Sequence, residues 1–349
     1  MSGNNIEFNR RSFLQTGLAG LAAFSPGIQL VMSSDAKAAG KVVIQYDWLI
    51  SNGQIGDVIA LENGYFKEAG LEVEFSPGGP NASTVPPVVS GSALVGQFSE
   101  TPQLFSARAN GVPVKLIACG YRTGPYAFTS KPSKPLRSVA DLKGLRLGVQ
   151  PTARFVIDAI AAKNNIDINE LTIVNVGFDK TPLMRGDVDA IGGWITNTQA
   201  LSVVGADRID LLVRDMGLQS YADAYFATDS AIESDPETLA RFIGAIGKGW
   251  GWTHANPQDA VGKLVSAHPE LDKEWELKTI DLVLKLSFDA NTAKDGWGTF
   301  DPKALDEQLA LLDKIGQYPN GRPALEDVYT PKILELSAAD RPKLNAPGA

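Results

Sequence analysis

Between residues 42 and 119, short β-branched or apolar runs alternate with segments of helical periodicity, and few architectures accommodate that order. Residues 42–46 (VVIQY) form the first strand candidate and end before a polar, glycine-containing stretch at 51–56. Residues 57–66 then place Val58, Ile59, Leu61 and Tyr65 at helical spacing, and a second strand is expected at 71–75. Helix-like segments at 82–90 and 102–110 separate two further strand candidates, 93–98 and 114–119. Strands joined through helices in this way predict a parallel α/β sheet.

A second series starts after Gly124-Pro125, with strands expected near 126–130, 145–149, 171–176 and 190–194 and helical segments at 154–164 and around 181–185. From residue 235 the pattern changes to helix after helix, opening with Ser234-Asp235-Pro236-Glu237, where a capping residue precedes a proline in the first turn. The expected organisation is two α/β lobes with a helical C-terminal part. Residues 39–124 and 230–349 form lobe I, residues 125–229 form lobe II, and two crossings join them, with Tyr225 placed on the return crossing. A cleft between lobes is a common location for a small-molecule site.

Composition narrows the function. The chain has 32 Lys and Arg against 40 Asp and Glu, and a net charge of −8 offers no chain-wide attraction for nucleic acid. A single Cys excludes an internal disulfide and a cysteine cage for zinc or an iron–sulfur cluster, and two His leave little for a cysteine–histidine nucleophile. Residues 1–38 read as an address. Arg10-Arg11 resembles the twin-arginine export motif, an uncharged stretch runs from Ser12 to Ser34, and Ala36-Lys37-Ala38 has the small residues a signal peptidase reads. Export by the twin-arginine pathway and cleavage before Ala39 are expected, which places an acidic protein in the periplasm.

Residues 59–73 (IALENGYFKEAGLEV) resemble the helix-to-strand segment of a known family, the solute-binding proteins of ABC importers for nitrate, taurine, alkanesulfonates and thiamine pyrimidine precursors. Residues 90–93, 107–114, 138–144 and 185–190 match further family segments in the same order, as do 256–260, 268–274 and 297–302 in the helical part. The resemblance implies a type II periplasmic binding protein that captures a small molecule between two lobes, closes by a hinge and delivers it to an ABC permease and its ATPase. It further implies no catalysis, no cofactor and no metal, and a monomer is expected. Gly70 and Gly111 have a physical role apart from any ligand, as left-handed residues that end helices.

Branches of the family should differ where strands end and helices begin, because ligands of open α/β sheets bind outside the carboxyl ends of the strands. Asp47-Trp48 is similar to the Asp-Trp of the thiamine-precursor branch, in which the Trp offers its face to a planar heterocycle. Where that branch continues with Pro, Asn and His, this chain has Ile50, Ser51 and Gln54, which departs from the pattern but keeps hydrogen-bonding capacity. Ser99-Glu100-Thr101 resembles the branch's polar loop, with Glu100 at the acidic position. Trp48 and Glu100 are the leading candidates, one to stack on a ring and the other to accept from ring amino groups. A core aromatic and a helix N-terminal carboxylate are the structural readings of the same two residues.

Pro151 and Thr152 open a helix after the strand at 145–149, where backbone N–H groups suit a sulfonate, nitrate or phosphate, and Arg154 is placed to pair with an anion or to sit on a solvated helix face. After the strand at 190–194, Trp194, Asn197 and Gln199 offer an aromatic face and amides that suit a neutral ring. Tyr225 is placed either to close over the ligand or to pack within a β-strand, and Cys119 reads as buried filler. The expected ligand is a thiamine-precursor-like pyrimidine or a related nitrogen heterocycle, ahead of riboflavin-like rings. The alternative is a sulfonate, taurine or nitrate for the same kind of importer. Two further readings are a ligand sensor for a membrane receptor and an enzyme like the fungal pyrimidine synthases, whose cysteine-rich motif this chain lacks.

Overall fold

A computed structural model describes residues 40–79 and 82–349. The expected address, residues 1–38, lies outside the described residues. Ten strands are present among them: β1 (Gly40–Tyr46), β2 (Leu71–Ser76), β3 (Val95–Glu100), β4 (Val114–Tyr121), β5 (Tyr126–Ser130), β6 (Arg146–Val149), β7 (Thr172–Asn175), β8 (Ala190–Trp194), β9 (Ile209–Leu212) and β10 (Ala222–Thr228). They form two five-stranded sheets, ordered β2-β1-β3-β10-β4 and β7-β6-β8-β5-β9.

Each sheet is mixed, not parallel as the alternation predicted. In the first, β10 runs antiparallel to both β3 and β4; in the second, β5 runs antiparallel to β8 and β9. The reason lies in the chain path. The other strands end at the seam between the sheets, whereas β5 and β10 begin there, directly after the chain has crossed. The pairing of β10 with β3 and β4 corrects two expectations: residues 222–228 belong to the first sheet, not to lobe II, and Tyr225 sits mid-strand at 0% exposure instead of on a crossing. The return crossing is made by residues 217–221.

The helical C-terminal part starts as its sequence indicates. The Asp235 carboxylate accepts from the Thr238 N–H, and Pro236 occupies the first turn of a 20-residue helix, Pro236–Ala255, that packs on the helix Ile55–Glu62. Gly70 and Gly111 adopt φ of +71° and +83° after their helices. The first core gathers β1, β3, β4, β10 and the C-terminal helices around the stacked pair Trp250 and Trp297, 6.0 Å between centroids; the second surrounds Phe128, Leu147, Ile157 and Ile160. Phe155, Trp194 and Ile315 pack against both cores. The helix Pro302–Lys314 also reaches across, and its last residue donates from Nζ to the Ala162 carbonyl at 3.1 Å.

Candidate functional site

At the seam, the first sheet presents a polar cluster assembled from distant parts of the chain. Gln54, in the short helix Asn52–Gln54, donates from Nε2 to Gln97 Oε1 at 2.8 Å and to Asp223 Oδ1 at 3.4 Å, while its own Oε1 accepts from the Ser51 N–H at 3.0 Å. Gln54 thereby orients one residue of β3 and one of β10. Three atoms of this neighbourhood have no protein partner although their residues are almost wholly buried: Gln97 Nε2 and Tyr121 OH at 0% exposure, and Asp223 Oδ2 at 2%. Leaving such an atom unpaired costs about 1–3 kcal/mol, so three together form a feature that stability alone does not favour.

Asp223 is unusual in its backbone as well. Its φ is +48° at the second residue of β10, and the ladder to β3 runs from Ala222↔Glu100 to Ala224↔Phe98 without it. Its neighbours make room for the carboxyl. A Cβ on Gly53 would lie 2.8 Å from Asp223 Oδ2, and one on Gly120 would lie 2.8 Å from the Asp223 Cβ. Burial, then the charges of Asp47, Asp57 and Glu100, raise its pKa well above the usual carboxylate range. Asp57, fully buried below, accepts from Tyr46 OH at 2.9 Å and Tyr225 OH at 2.5 Å, and burial pushes it up to about 7 despite those bonds.

Glu100 lies nearby in a different setting. Its Oε1, Ser220 Oγ and Gln308 Nε2 are buried and unpartnered, and all three residues line a small cavity between the lobes together with Pro102, Phe155 and Leu218. Burial, reinforced by Asp47, pushes the Glu100 carboxyl up to about 8.

The facing edge of the second sheet is satisfied. Gln150 donates to the carbonyls of Gly177 (3.2 Å) and Gly192 (3.1 Å) and accepts from Tyr126 OH (3.0 Å), and Lys180 Nζ donates to the Gly192 carbonyl at 3.5 Å. This edge meets the first through aromatic and polar contacts. Trp48 lies 6.0 Å from Phe178 and Tyr121 lies 6.5 Å from Trp194, centroid to centroid. Asn52 Nδ2 donates to Glu276 Oε2 at 3.1 Å and to the Thr196 carbonyl at 3.5 Å, and the Thr198 and Thr279 hydroxyls are 2.5 Å apart.

The structure therefore distributes the residues singled out in the sequence. Trp48 is 40% exposed at the seam, beside Phe178, and is not a core aromatic. Asp47 is occupied, since its Oδ2 accepts from the Ser99 N–H at 2.6 Å and from Gln103 Nε2 at 3.2 Å, which fixes the loop carrying Ser99. Glu100 is buried toward the lobe cavity, whose lining does not include Trp48, so the two leading candidates do not share it. Thr101, at 0% exposure, spends its hydroxyl on Gln308 Oε1 at 2.7 Å.

On the other side, Trp194 bridges the two cores, whereas Asn197 and Gln199 are exposed, and Thr196 and Thr198 make the contacts expected of them. Pro151 is exposed, Thr152 stands in the short helix Pro151–Ala153, and Arg154 is paired with Asp158 at 3.0 Å on the helix face, leaving its charge committed there. Tyr225 serves Asp57 instead of closing over a ligand. Cys119 is buried, its thiol pushed up to about 12 by burial. Gln97, Tyr121 and Asp223 were missed. Their signal was a polar side chain inside an apolar run, at Gln97 between Gly96 and Phe98 and at Asp223 between Ala222 and Ala224.

Among the described residues, no group of three or more His, Cys, Asp or Glu is placed to hold a metal ion, and no helix is long and apolar enough to cross a membrane. Comparison with known proteins gives a consistent picture. The family described as NMT1/THI5 like matches residues 52–260. The chain is 26% identical over 318 residues to the formylaminopyrimidine-binding protein of Halalkalibacterium halodurans, covering 87% of this chain and 94% of that one. It is also 26% identical over 232 residues to the 4-amino-5-hydroxymethyl-2-methylpyrimidine phosphate synthase of Aspergillus parasiticus, covering 60% of this chain and 66% of that one. The periplasmic aliphatic sulphonate binding protein SsuA of Escherichia coli shares the fold, with a TM-score of 0.63 at 14% identity over 82% of this chain and 91% of that one.

Proposed function

The chain belongs to the NMT1/THI5-like family, and on that footing we propose that it is the periplasmic substrate-binding subunit of an ABC importer, capturing a thiamine-precursor-like pyrimidine or a related nitrogen heterocycle. The observation that carries this reading is the pairing of aromatic faces across the seam, Trp48 with Phe178 and Tyr121 with Trp194, each pair drawn from both sides. A planar ring held there touches both lobes at once, so binding and closure stabilise one another, and a permease has a closed surface to recognise. The pyrimidine-binding relative from Halalkalibacterium halodurans supports the ring class. The Arg10-Arg11 segment supports export by the twin-arginine route.

The relative from Aspergillus parasiticus gives a second reading, pyrimidine synthesis. Against it, Cys119 is buried with a raised pKa, and His254 and His268 lie in the C-terminal helical part, away from the polar cluster. Thermal-shift measurement against pyrimidines, flavins, taurine, alkanesulfonates and nitrate tests the proposal. A ligand at 100 times its Kd adds about 2.7 kcal/mol to stability. The expected result is a shift with an aminopyrimidine that weakens in Trp48→Ala. A shift with sulfonates or nitrate alone would replace the ligand and leave the transport reading in place.

A further inference from the structure

We propose that Asp223 is the residue that reads the ligand: its free Oδ2, in the same buried cluster as Gln97 Nε2 and Tyr121 OH, accepts N–H groups from an amino-substituted nitrogen ring. This rests on the ligand-binding reading above and adds to it a recognition atom. Four carboxyls approach one another here, and two of them have no buried oxygen left unpaired. Asp47 is held by the Ser99 N–H and Gln103, and Asp57 by two tyrosines. Asp223 and Glu100 each retain a buried oxygen without a partner, and each lies among two further unpaired groups, Gln97 Nε2 and Tyr121 OH at 0% exposure for Asp223, and Ser220 Oγ and Gln308 Nε2 in the lobe cavity for Glu100.

The pattern of these atoms is specific. The Asp223 oxygen accepts, the Gln97 amide donates and the Tyr121 hydroxyl does either, which matches an amino group next to a ring nitrogen. The charges acting on Asp223 are carboxyls alone, Asp47, Asp57 and Glu100. The nearest candidates for a compensating cation are committed elsewhere: Arg122 to the Thr299 carbonyl and Asp289, Lys180 to the Gly192 carbonyl on the facing sheet. An anion entering this side therefore finds neither of these cations free, whereas the acids around Asp223, raised toward their neutral forms by burial, oppose it with little charge. The left-handed backbone at Asp223 and the two glycines beside it fix the position of the buried carboxyl, a strained arrangement of the kind retained for recognition.

The test is calorimetric titration of the purified protein with three probes: 4-amino-5-hydroxymethyl-2-methylpyrimidine, its 4-oxo counterpart and methanesulfonate. The wild-type protein is expected to prefer the amino over the oxo probe by roughly 10–100-fold, the scale of leaving a buried polar group unpaired. In Asp223→Asn the preference should vanish or invert. Gln54 donates to Oδ1, so the new carbonyl takes that position and the new N–H₂ replaces the free acceptor. The ligand-free variant should also melt at a higher temperature, which a purely structural Asp223 would not allow. Gly53→Ala, whose methyl lies 2.8 Å from Oδ2, should weaken the amino probe with the carboxyl intact.

An unchanged preference in folded Asp223→Asn overturns the inference. If that variant does not fold, unchanged affinities in Gly53→Ala overturn it. Tight methanesulfonate binding that ignores both substitutions overturns it while sparing the transport reading. Absence of binding by all three probes in the wild-type protein removes the heterocycle reading and this inference together.

Discussion

The two edges that face each other at the seam are built from similar strand ends, yet they keep opposite hydrogen-bond accounts. On the second sheet, Gln150 fills all of its near neighbours' needs, linking Tyr126, Gly177 and Gly192 in one closed network. On the first sheet, Gln54 occupies the same kind of position, but the groups it orients, Gln97 and Asp223, each keep one atom unpaired. The difference teaches which edge is finished and which awaits something. A satisfied edge contributes stability and shape, whereas an unsatisfied one gives up stability to hold atoms in a fixed pattern for a partner.

Breaking the finished edge should have the largest effect. Gln150→Leu leaves the buried Tyr126 OH without its partner, takes one donor from the buried Gly192 carbonyl and should lower stability by about 2 kcal/mol, read from urea unfolding. Next is the response of the ligand-free protein to pH. Unfolded carboxyls lose their protons near pH 4, whereas Asp57 holds its proton to about 7 and Glu100 to about 8, so the native state binds more protons between these limits. Stability should therefore fall as pH rises from 5 to 8, and a flat melting profile over that range would remove the contrast between the edges.

A smaller effect is expected at the mouth. Trp48→Ala should weaken binding of a planar ring roughly tenfold in calorimetry while moving stability by less than about 0.5 kcal/mol, because the side chain is 40% exposed. The smallest is the most diagnostic. Tyr121→Phe removes an unpaired buried hydroxyl and should leave the ligand-free protein unchanged or up to about 1 kcal/mol more stable; destabilisation would mean that this edge is satisfied after all.

Much of the fold could be read from the chain because strands buried on both faces appear as continuous apolar runs: residues 126–130 and 190–194 coincide with β5 and β8. The two strands that were missed show the limits of that signal. β9 is a four-residue edge strand, only partly buried, and too short to carry a pattern. β10 arrives from a crossing and not from a helix, so the alternation that marks the others is absent before it. Antiparallel direction has the same origin, since it depends on where the chain crosses and not on what the strand contains.

The site was legible only at strand ends. Trp48 and Glu100 stand where an open sheet is expected to meet its ligand, and the sequence exposed them for that reason. Gln97, Tyr121 and Asp223 lie within apolar runs, and their meaning arises from partners far along the chain: Gln54 reaches Gln97 across 43 positions and Asp223 across 169. The anion option at 151–154 was read from local order alone, and a local pair, Arg154 with Asp158, absorbs the charge on which it depended.

Of the six tryptophans, Trp250 and Trp297 stack on one another in the first core, and Trp252 and Trp275 lie beneath Lys263 and Lys278. The remaining two, Trp48 and Trp194, stand at the seam, one against Phe178 and the other against Tyr121. Indole emission responds to what lies against the ring. A planar molecule held between these faces, as proposed above, would alter the fluorescence of both emitters as it arrives. The chain carries its own optical gauge, and a rapid-mixing trace of the unlabelled protein would give arrival and departure rates directly.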